Sequence, residues 1–431
     1  MSIEYRGTEY LGVTDDTREA TVEKLFLRCE QNEKYIDSLP ADVTVVDVPE
    51  LMDIWGLEDM KVIGVSGTNG KTTTSALIYS LLLDLERGAA MQGTRGFFVN
   101  DERMAQKSMT TPSILQTLEN MKIARESGAD HFVMEVSSHA IAQNRIEGLK
   151  FALKVHTNVT RDHLDYHGTI EEYRRIKSLF FMDDSPKLIN RDEEKSLRYN
   201  SSNAYSYGVE EPATFKVLAF SLTDGIRAVV RVFGEEETLW SPMMGLFNLY
   251  NIMAAVSAVS ILTQEPLSRI CEAVENFGGV GGRMESVSEN PRIIVDFAHT
   301  DDGMLRVLDS LKEKDLVVVF GAGGDRDRSK RPAMGAVAGK YAKKIYLTSD
   351  NPRSEKPEDI IEDILAGLRG KENVHIVPDR RRAIEMAIEG LEEGEILLVL
   401  GKGDESWQEI DGERYPFDDR EVIREILSRD S

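Results

Sequence analysis

The stretch Lys61–Ser75, KVIGVSGTNGKTTTS, constrains this chain more than any other. Val62, Ile63, Gly64 and Val65 predict a buried parallel strand, Gly67 to Gly70 break it, and Lys71 opens a run that continues with helical spacing. Strand, glycine loop and helix together make a phosphate cradle. Backbone N–H groups turn onto phosphate oxygens, Lys71 brings a point charge to the β- and γ-phosphates, and Thr72 offers a hydroxyl to Mg²⁺. Val65 stands where the full G-x-x-x-x-G-K-[ST] pattern has its first glycine. ATP or GTP is the expected ligand.

At 431 residues the chain exceeds what one hydrophobic core supports, so two or three domains are expected. Its 52 basic and 75 acidic residues give a net charge of −23, with no long Lys/Arg run. That argues against nucleic acid or an anionic membrane as the main partner and points to small molecules. Cys29 and Cys271 lie far apart, without metal-ligand spacing, which fits a reducing cytoplasm. The opening MSIEYRGTEYLG lacks a basic start with an apolar core, and no window approaches about eighteen uninterrupted apolar residues. A soluble cytoplasmic protein without membrane insertion is expected.

The pattern predicts an α/β chain of three domains. Residues 1–58 are acidic and mixed, with candidate strands at Lys24–Leu27 and Val43–Val48, and predict a short α/β domain leaning on its neighbour. Within it, Asp15-Asp16-Thr17-Arg18 reads as a ligand loop or as a charged turn capping the next helix. Residues 59–286 alternate strand and helix through His131–Val136, Phe151–Val159 and Lys187–Asn190, which predicts a doubly wound parallel sheet. Between Thr214 and Leu239, short alternating runs around Thr223-Asp224-Gly225 predict an antiparallel hairpin laid on that sheet, and Leu249–Leu262 a buried helix. Gly278 to Gly282 form a glycine-rich hinge. Beyond it, residues 287–431 carry five candidate strands in a smaller Rossmann-like unit, from Ile293–Phe297 to Ile396–Leu400.

In such sheets ligands collect at the carboxyl ends of the strands. Glu135 ends one strand, ahead of Ser137, Ser138 and His139, and reads as a carboxylate ligand for Mg²⁺ or as the cap of a helix start. The next loop gathers Asn158, Thr160, Asp162, His163, Asp165 and His167, which predicts a metal or phosphate site. Zinc on His163 and His167 is an alternative without a Cys or HExxH framework. In the third domain DFAHT, GAGGDRDRSKRP, SDNPR and GKGDE each follow a strand, describing a second ligand surface that could close on the first.

With these segments assembled, the chain resembles the Mur ligase family from about Lys61 to about Trp407, and weakly in its first 58 residues. The motifs that carry the resemblance are GTNGKTTT (67–74), TTPS (110–113), MEVSSHAIAQNR (134–145), TNVTRDHLDYHG (157–168), GLFNLYN (245–251), GRME (282–285), DFAHT (296–300), GGDRDRSKRP (323–332), DNPR (350–353) and GKGDE (401–405). The resemblance implies that Gly67, Thr68, Asn69, Gly70, Lys71, Thr72 and Thr73 hold the phosphates of ATP, with Asn248, Arg283, Asp296 and His299 around the nucleotide. Thr72, Glu135, His163 and a carbamylated Lys177 would hold Mg²⁺, and Lys71, Glu135, His163 and Lys177 would be the catalytic set. Read without the resemblance, Lys177 is a solvated helix lysine. Thr110, Thr111, Ser137, Gln143 and Arg145 would contact UDP-N-acetylmuramoyl-L-alanyl-D-glutamate. Arg326, Asp350, Asn351, Pro352, Arg353, Gly401 and Glu405 would bind meso-diaminopimelate.

Departures from the family pattern are Asp404 in place of His in GKGHE, Asp301 in place of the Pro of AHTP, Gly281-Gly282 without the Pro often found before GRME, and a shortened N-terminal domain without its glycine-rich loop. The expected activity is an ATP-dependent amide ligation through an acyl phosphate, by a monomer. Addition of L-lysine or another diamino acid is the nearest alternative. A folylpolyglutamate synthetase type fits TTPS, DHLDYHG and DNPR poorly, and a GTPase switch should show an [NT]KxD guanine motif, which is missing.

Overall fold

The structure is a computed structural model that describes residues 3–105, 109–223, 225–368 and 370–429. Its largest element is an eleven-stranded sheet with Lys61–Ser66 near the middle, flanked in parallel by Phe151–His156 and His131–Val136. Val62, Ile63 and Val65 are fully buried, as a strand covered on both faces requires. Helices Lys71–Asp84 and Leu246–Thr263 pack together over one face and share one apolar cluster with the strand residues Ile63 and Val65. The helix Leu246–Thr263 is long and apolar enough to cross a membrane, yet two thirds of it is buried inside the protein. It is the core of the domain.

One edge of this sheet departs from expectation. Phe215–Ser221 and Ile226–Val232 do form an antiparallel pair, but they continue the sheet instead of lying on it. Tyr207 and Gly208 pair in parallel with Phe215 and Lys216, and a third strand, Glu235–Ser241, closes the edge. The cause is the alternation of Ile226, Ala228, Val230 and Val232, whose buried side belongs to the central core with helix Leu267–Glu275. Asp224 of the connecting turn lies outside the described residues.

The C-terminal sheet has six strands, in the order Glu285–Glu289, Arg292–Asp296, Ile396–Leu400, Leu316–Phe320, Ala342–Leu347 and Val374–Ile376. Its first strand is antiparallel and begins at Glu285, so it straddles position 286, where the sequence suggests a boundary. The remaining five are parallel. Their carboxyl ends therefore carry DFAHT, GAGGDRDRSKRP, SDNPR and GKGDE to one edge. At the N-terminal end, Gly12–Thr14, Lys24–Leu27 and Val45–Val46 form a three-stranded parallel sheet. Leu25, Leu27 and Val46 share a core cluster with Val62 and Phe132, so this small unit gains burial from its neighbour.

Candidate active site

The glycine loop is held from behind by the next strand's loop. Asn69 N–H donates to Asn158 Oδ1 at 2.9 Å, and its carbonyl accepts Thr157 Oγ1 at 2.7 Å and Asn158 Nδ2 at 3.1 Å. Gly70 sits at φ +84°, and a Cβ there would come within 2.5 Å of Asn251 Oδ1, so two separate constraints demand glycine. Lys71 Nζ folds onto the carbonyls of Gly67 and Thr68 at 2.8 and 2.9 Å. Burial pushes its pKa down, against the pull of Glu135 and Asp162.

Glu135 is buried at the end of its strand and faces Thr72, whose Oγ1 donates to its Oε2 at 3.0 Å. Thr94, which sequence reasoning missed, adds its backbone N–H at 2.9 Å and its hydroxyl at 3.2 Å. Lys71, Thr72, Glu135 and His163 line one cavity of about 230 Å³, closed on its far side by Phe297, Ala298 and His299 of the C-terminal domain. Burial, with Lys71 and His139 beside it, keeps the His163 imidazole neutral. Among the described residues no group of three or more His, Cys, Asp and Glu could hold a metal alone. One carboxylate, one hydroxyl and one neutral imidazole beside a phosphate cradle suit Mg²⁺, which keeps waters and takes phosphate oxygens. The zinc alternative is not supported, because His167 Nε2 is engaged with Ser138 Oγ at 2.9 Å.

Lys177 is no solvated lysine. It is 1% exposed, and its Nζ donates to Gly67 O at 2.8 Å from behind the loop. Burial and the neighbouring Lys71 charge push its pKa far below the usual lysine range. A neutral amine is the form that can take up CO₂, and the resulting carbamate reverses the charge beside Lys71. The residues present fit that group.

A second cavity, of about 320 Å³, opens on the other side of Asn69 and Gly70 and is lined by Asn190, Tyr207, Phe247, Asn248, Arg283, Asp296 and Arg306, among others. Asp296 is buried and its pKa raised by that burial, with Arg283 and the N–H groups of Met284 and Ala298 opposing. Asn248, Arg283 and Asp296 thus line one cavity together, Arg283 reaching the phosphate cavity as well, whereas His299 lines only the phosphate cavity of the two.

Thr110, Thr111, Ser137, Gln143 and Arg145 form one connected rim. Arg145 donates to Thr111 O at 2.9 Å and Gln143 Oε1 at 2.6 Å, Thr111 Oγ1 to Glu135 O at 2.8 Å, and Ser137 N–H to Thr111 Oγ1 at 3.0 Å. Thr110 and Thr94 hydroxyls are 3.1 Å apart. The N-terminal unit reaches this rim through Gln31 Nε2, 2.8 Å from Gln143 O. Beyond lies an open cavity of about 600 Å³ lined by Asp15, Asp16, Thr17, Arg18, Gln31, Asn32 and Tyr35.

Opposite His163 a cavity of about 280 Å³ is walled by Arg326, Asp350, Asn351, Arg353, Gly401 and Glu405, with His139, Asp162 and Lys330 on its other sides. Pro352 does not line it. Asp350 Oδ2 is buried without a partner among the described residues, and a Cβ on Gly401 would come within 2.4 Å of it. Arg353 has φ +52°, an uncommon conformation for a residue of its size. Its Nη1 donates to Gly324 O at 2.8 Å, and its Nε lies 3.4 Å from Glu409 Oε2. Buried Lys402, another residue missed from sequence, donates to Asn351 Oδ1 at 3.2 Å and Glu405 Oε2 at 3.1 Å. That fixes the Asn351 amide with its nitrogen toward Glu405 Oε2, 2.9 Å away.

Comparison with known proteins identifies the family. The sequence model of the Mur ligase middle domain fits residues 65–259, and that described as Mur ligase, glutamate ligase domain, fits residues 282–403. The chain belongs to the Mur ligase family. Two curated relatives bear the name UDP-N-acetylmuramoyl-L-alanyl-D-glutamate–2,6-diaminopimelate ligase. The Helicobacter hepaticus protein is 48% identical over 99% of this chain and 98% of its own length. The Wolinella succinogenes protein is 51% identical over 96% of both. A solved structure of a ligase of that name superposes with a TM-score of 0.67 at 29% identity, covering 99% of this chain and 97% of the other. A Mycobacterium tuberculosis folylpolyglutamate synthase shares the fold at 18% identity, with a TM-score of 0.68 over 81% of this chain and 91% of its own.

As a Mur ligase, the chain brings its carboxyl-end loops from two sheets to one interface. Asp162 and Lys330 meet across it, 2.5 Å apart. Burial would raise the Asp162 pKa, but the Lys330 ammonium in contact with it pulls it well below the carboxylate range.

Proposed function

We propose that this Mur ligase joins meso-diaminopimelate to the terminal carboxylate of UDP-N-acetylmuramoyl-L-alanyl-D-glutamate, in the cytoplasm, with ATP. The observation that carries the substrate reading is Arg353, on the wall of a cavity that also presents Asp350, Asn351 and Glu405 and opens toward His163. A guanidinium can grip the distal carboxylate of diaminopimelate, while Glu405 and Asp350 suit its ammonium groups. The connected rim from Thr110 to Arg145 would hold the muramoyl dipeptide, with the nucleotide portion of that substrate toward Asp15–Arg18.

The proposed chemistry uses the three neighbouring cavities. The D-glutamate carboxylate attacks the γ-phosphorus of ATP, the bond to the β-phosphate oxygen breaks, and an acyl phosphate and ADP result. The amine of the incoming amino acid adds to the acyl carbon, sheds a proton, and phosphate leaves as the amide forms. Lys71 and the loop N–H groups would neutralise the transferred phosphoryl oxygens. Mg²⁺, held by Thr72, Glu135, His163 and the carbamate of Lys177, would offset the repulsion between carboxylate and triphosphate. Seating the C-terminal domain keeps water from the acyl phosphate.

The test is to follow phosphate release with each substrate omitted in turn. Release coupled to amide formation should require the muramoyl dipeptide, ATP and diaminopimelate together. Coupled turnover with a different amino acid, and none with diaminopimelate, contradicts the substrate reading.

A further inference from the structure

One carboxylate joins the phosphate loop to the C-terminal domain. Asp302 stands in the first turn of helix Asp301–Ser310, behind its N-cap Thr300, where the positive end of the helix favours an ionised side chain. Its Oδ2 accepts three hydrogen bonds, from Asn69 Nδ2 at 2.8 Å, Thr160 Oγ1 at 3.0 Å and Arg306 Nε at 3.0 Å. The first two donors belong to the central domain. Arg306, on the same helix as Asp302, reaches back to Glu193 Oε1 of the central domain at 3.3 Å. Asn69 is itself pinned through its backbone to Thr157 and Asn158. The backbone of Asn69 is therefore fixed in the central domain, and its side chain links that fixed loop to Asp302.

We propose that Asp302 is a positioning residue for the amide-forming half of the reaction, seating the C-terminal domain on the phosphate loop. The inference rests on the ligase chemistry of the family and on no particular amino acid. The loop's own phosphate contacts come from the central domain, so phosphoryl transfer persists when Asp302 is lost. What is lost is the closed arrangement that delivers the amine and excludes water, so the acyl phosphate is hydrolysed instead.

The experiment compares wild type, Asp302→Ala, Thr160→Val and the double variant for the ratio of phosphate released to amide formed. The amino-acid KM, the ATP Kd and Tm are measured alongside. Asp302→Ala should raise the amino-acid KM about tenfold or more and lift the ratio from near one to several, with ATP Kd within about threefold and Tm within about 2 °C. Thr160→Val should shift the same two quantities in the same direction, and the double variant should be no worse than Asp302→Ala, since the Thr160–Asp302 bond is already lost in Asp302→Ala. Small-angle scattering with a non-hydrolysable ATP analogue needs no amino acid and separates failure of this inference from failure of the substrate reading. Wild type should contract on binding and Asp302→Ala should contract less. A ratio that stays at one, an equal loss of ATP binding and ligation, or equal contraction in both proteins overturns the assignment.

Discussion

Lys71 and Lys177 both donate from Nζ to the carbonyl oxygen of Gly67, each at 2.8 Å. Both pKa values are pushed down by burial, and the Lys71 charge lowers that of Lys177 further. Two ammonium groups on one buried carbonyl are not a stable pair of cations. The arrangement is relieved if Lys177 carries a carbamate. Protein equilibrated with ¹³C-labelled bicarbonate should then show a carbamate carbon resonance that disappears in Lys177→Ala. That variant should be nearly inactive and partly rescued by a short carboxylic acid. An unmodified, protonated Lys177 in the active protein contradicts this.

Lys71→Ala should abolish ligation and leave the fold intact. Among the described residues the side chain's Nζ donates to the loop carbonyls of Gly67 and Thr68, so its removal should change stability by no more than about 1 kcal/mol, while the phosphoryl oxygens lose their nearest cation. Retained ligation with a normal circular dichroism spectrum would end the phosphate-loop assignment.

Asp404→His restores the residue usual in the family. Asp404 acts across the domain interface on Arg95, whose pKa burial lowers and Asp404 raises. The change removes that attraction, and Asp404 does not itself line the amino-acid cavity, so kcat/KM should fall less than about tenfold. A loss above roughly 100-fold, about 2.7 kcal/mol, would show a role for Asp404 in its own right.

Acid stability offers a check on the C-terminal domain. Arg331 is buried and donates from Nη2 to Glu355 Oε1 at 2.7 Å, and its hydrogen bonds hold Glu355 down at about 2, from 4.5. A depressed carboxylate contributes stability that is complete above its unfolded pKa and is lost as pH falls through the folded one. The contribution of this pair should therefore drain away between pH 4.5 and about 2. Thermal melts should show Glu355→Gln destabilised at pH 6, with its gap to wild type closing across that window. A gap that does not depend on pH contradicts the ion pair.

The phosphate loop was legible because its chemistry is local: strand, glycines, Lys71 and Thr72 are neighbours in sequence. The positions of several strands in both sheets, though not their order, followed from the apolar runs that a buried parallel strand needs. Lys177 was not legible from its own segment, since TIEEYRRIK gives an amphipathic helix in which one more lysine looks solvated. Its burial comes from its place behind the phosphate loop, where Gly67, distant in sequence, accepts its Nζ. Thr94 and Lys402 were missed for the same reason, because each acts by bonding to residues distant in sequence or to a neighbouring loop. The hairpin's place at the sheet edge depended on a two-residue parallel pairing between Tyr207–Gly208 and Phe215–Lys216 that no periodicity reveals.

The most direct test of the whole account is the comparison of kcat/KM for meso-diaminopimelate and L-lysine in wild type and Arg353→Ala. Lysine lacks the distal carboxylate, leaves the guanidinium without that partner, and brings its own ammonium toward it. Wild type should prefer meso-diaminopimelate by about 10³-fold or more, and Arg353→Ala should lose most of that preference. A wild-type preference for lysine, or a mutant that keeps the full preference for diaminopimelate, would contradict the account.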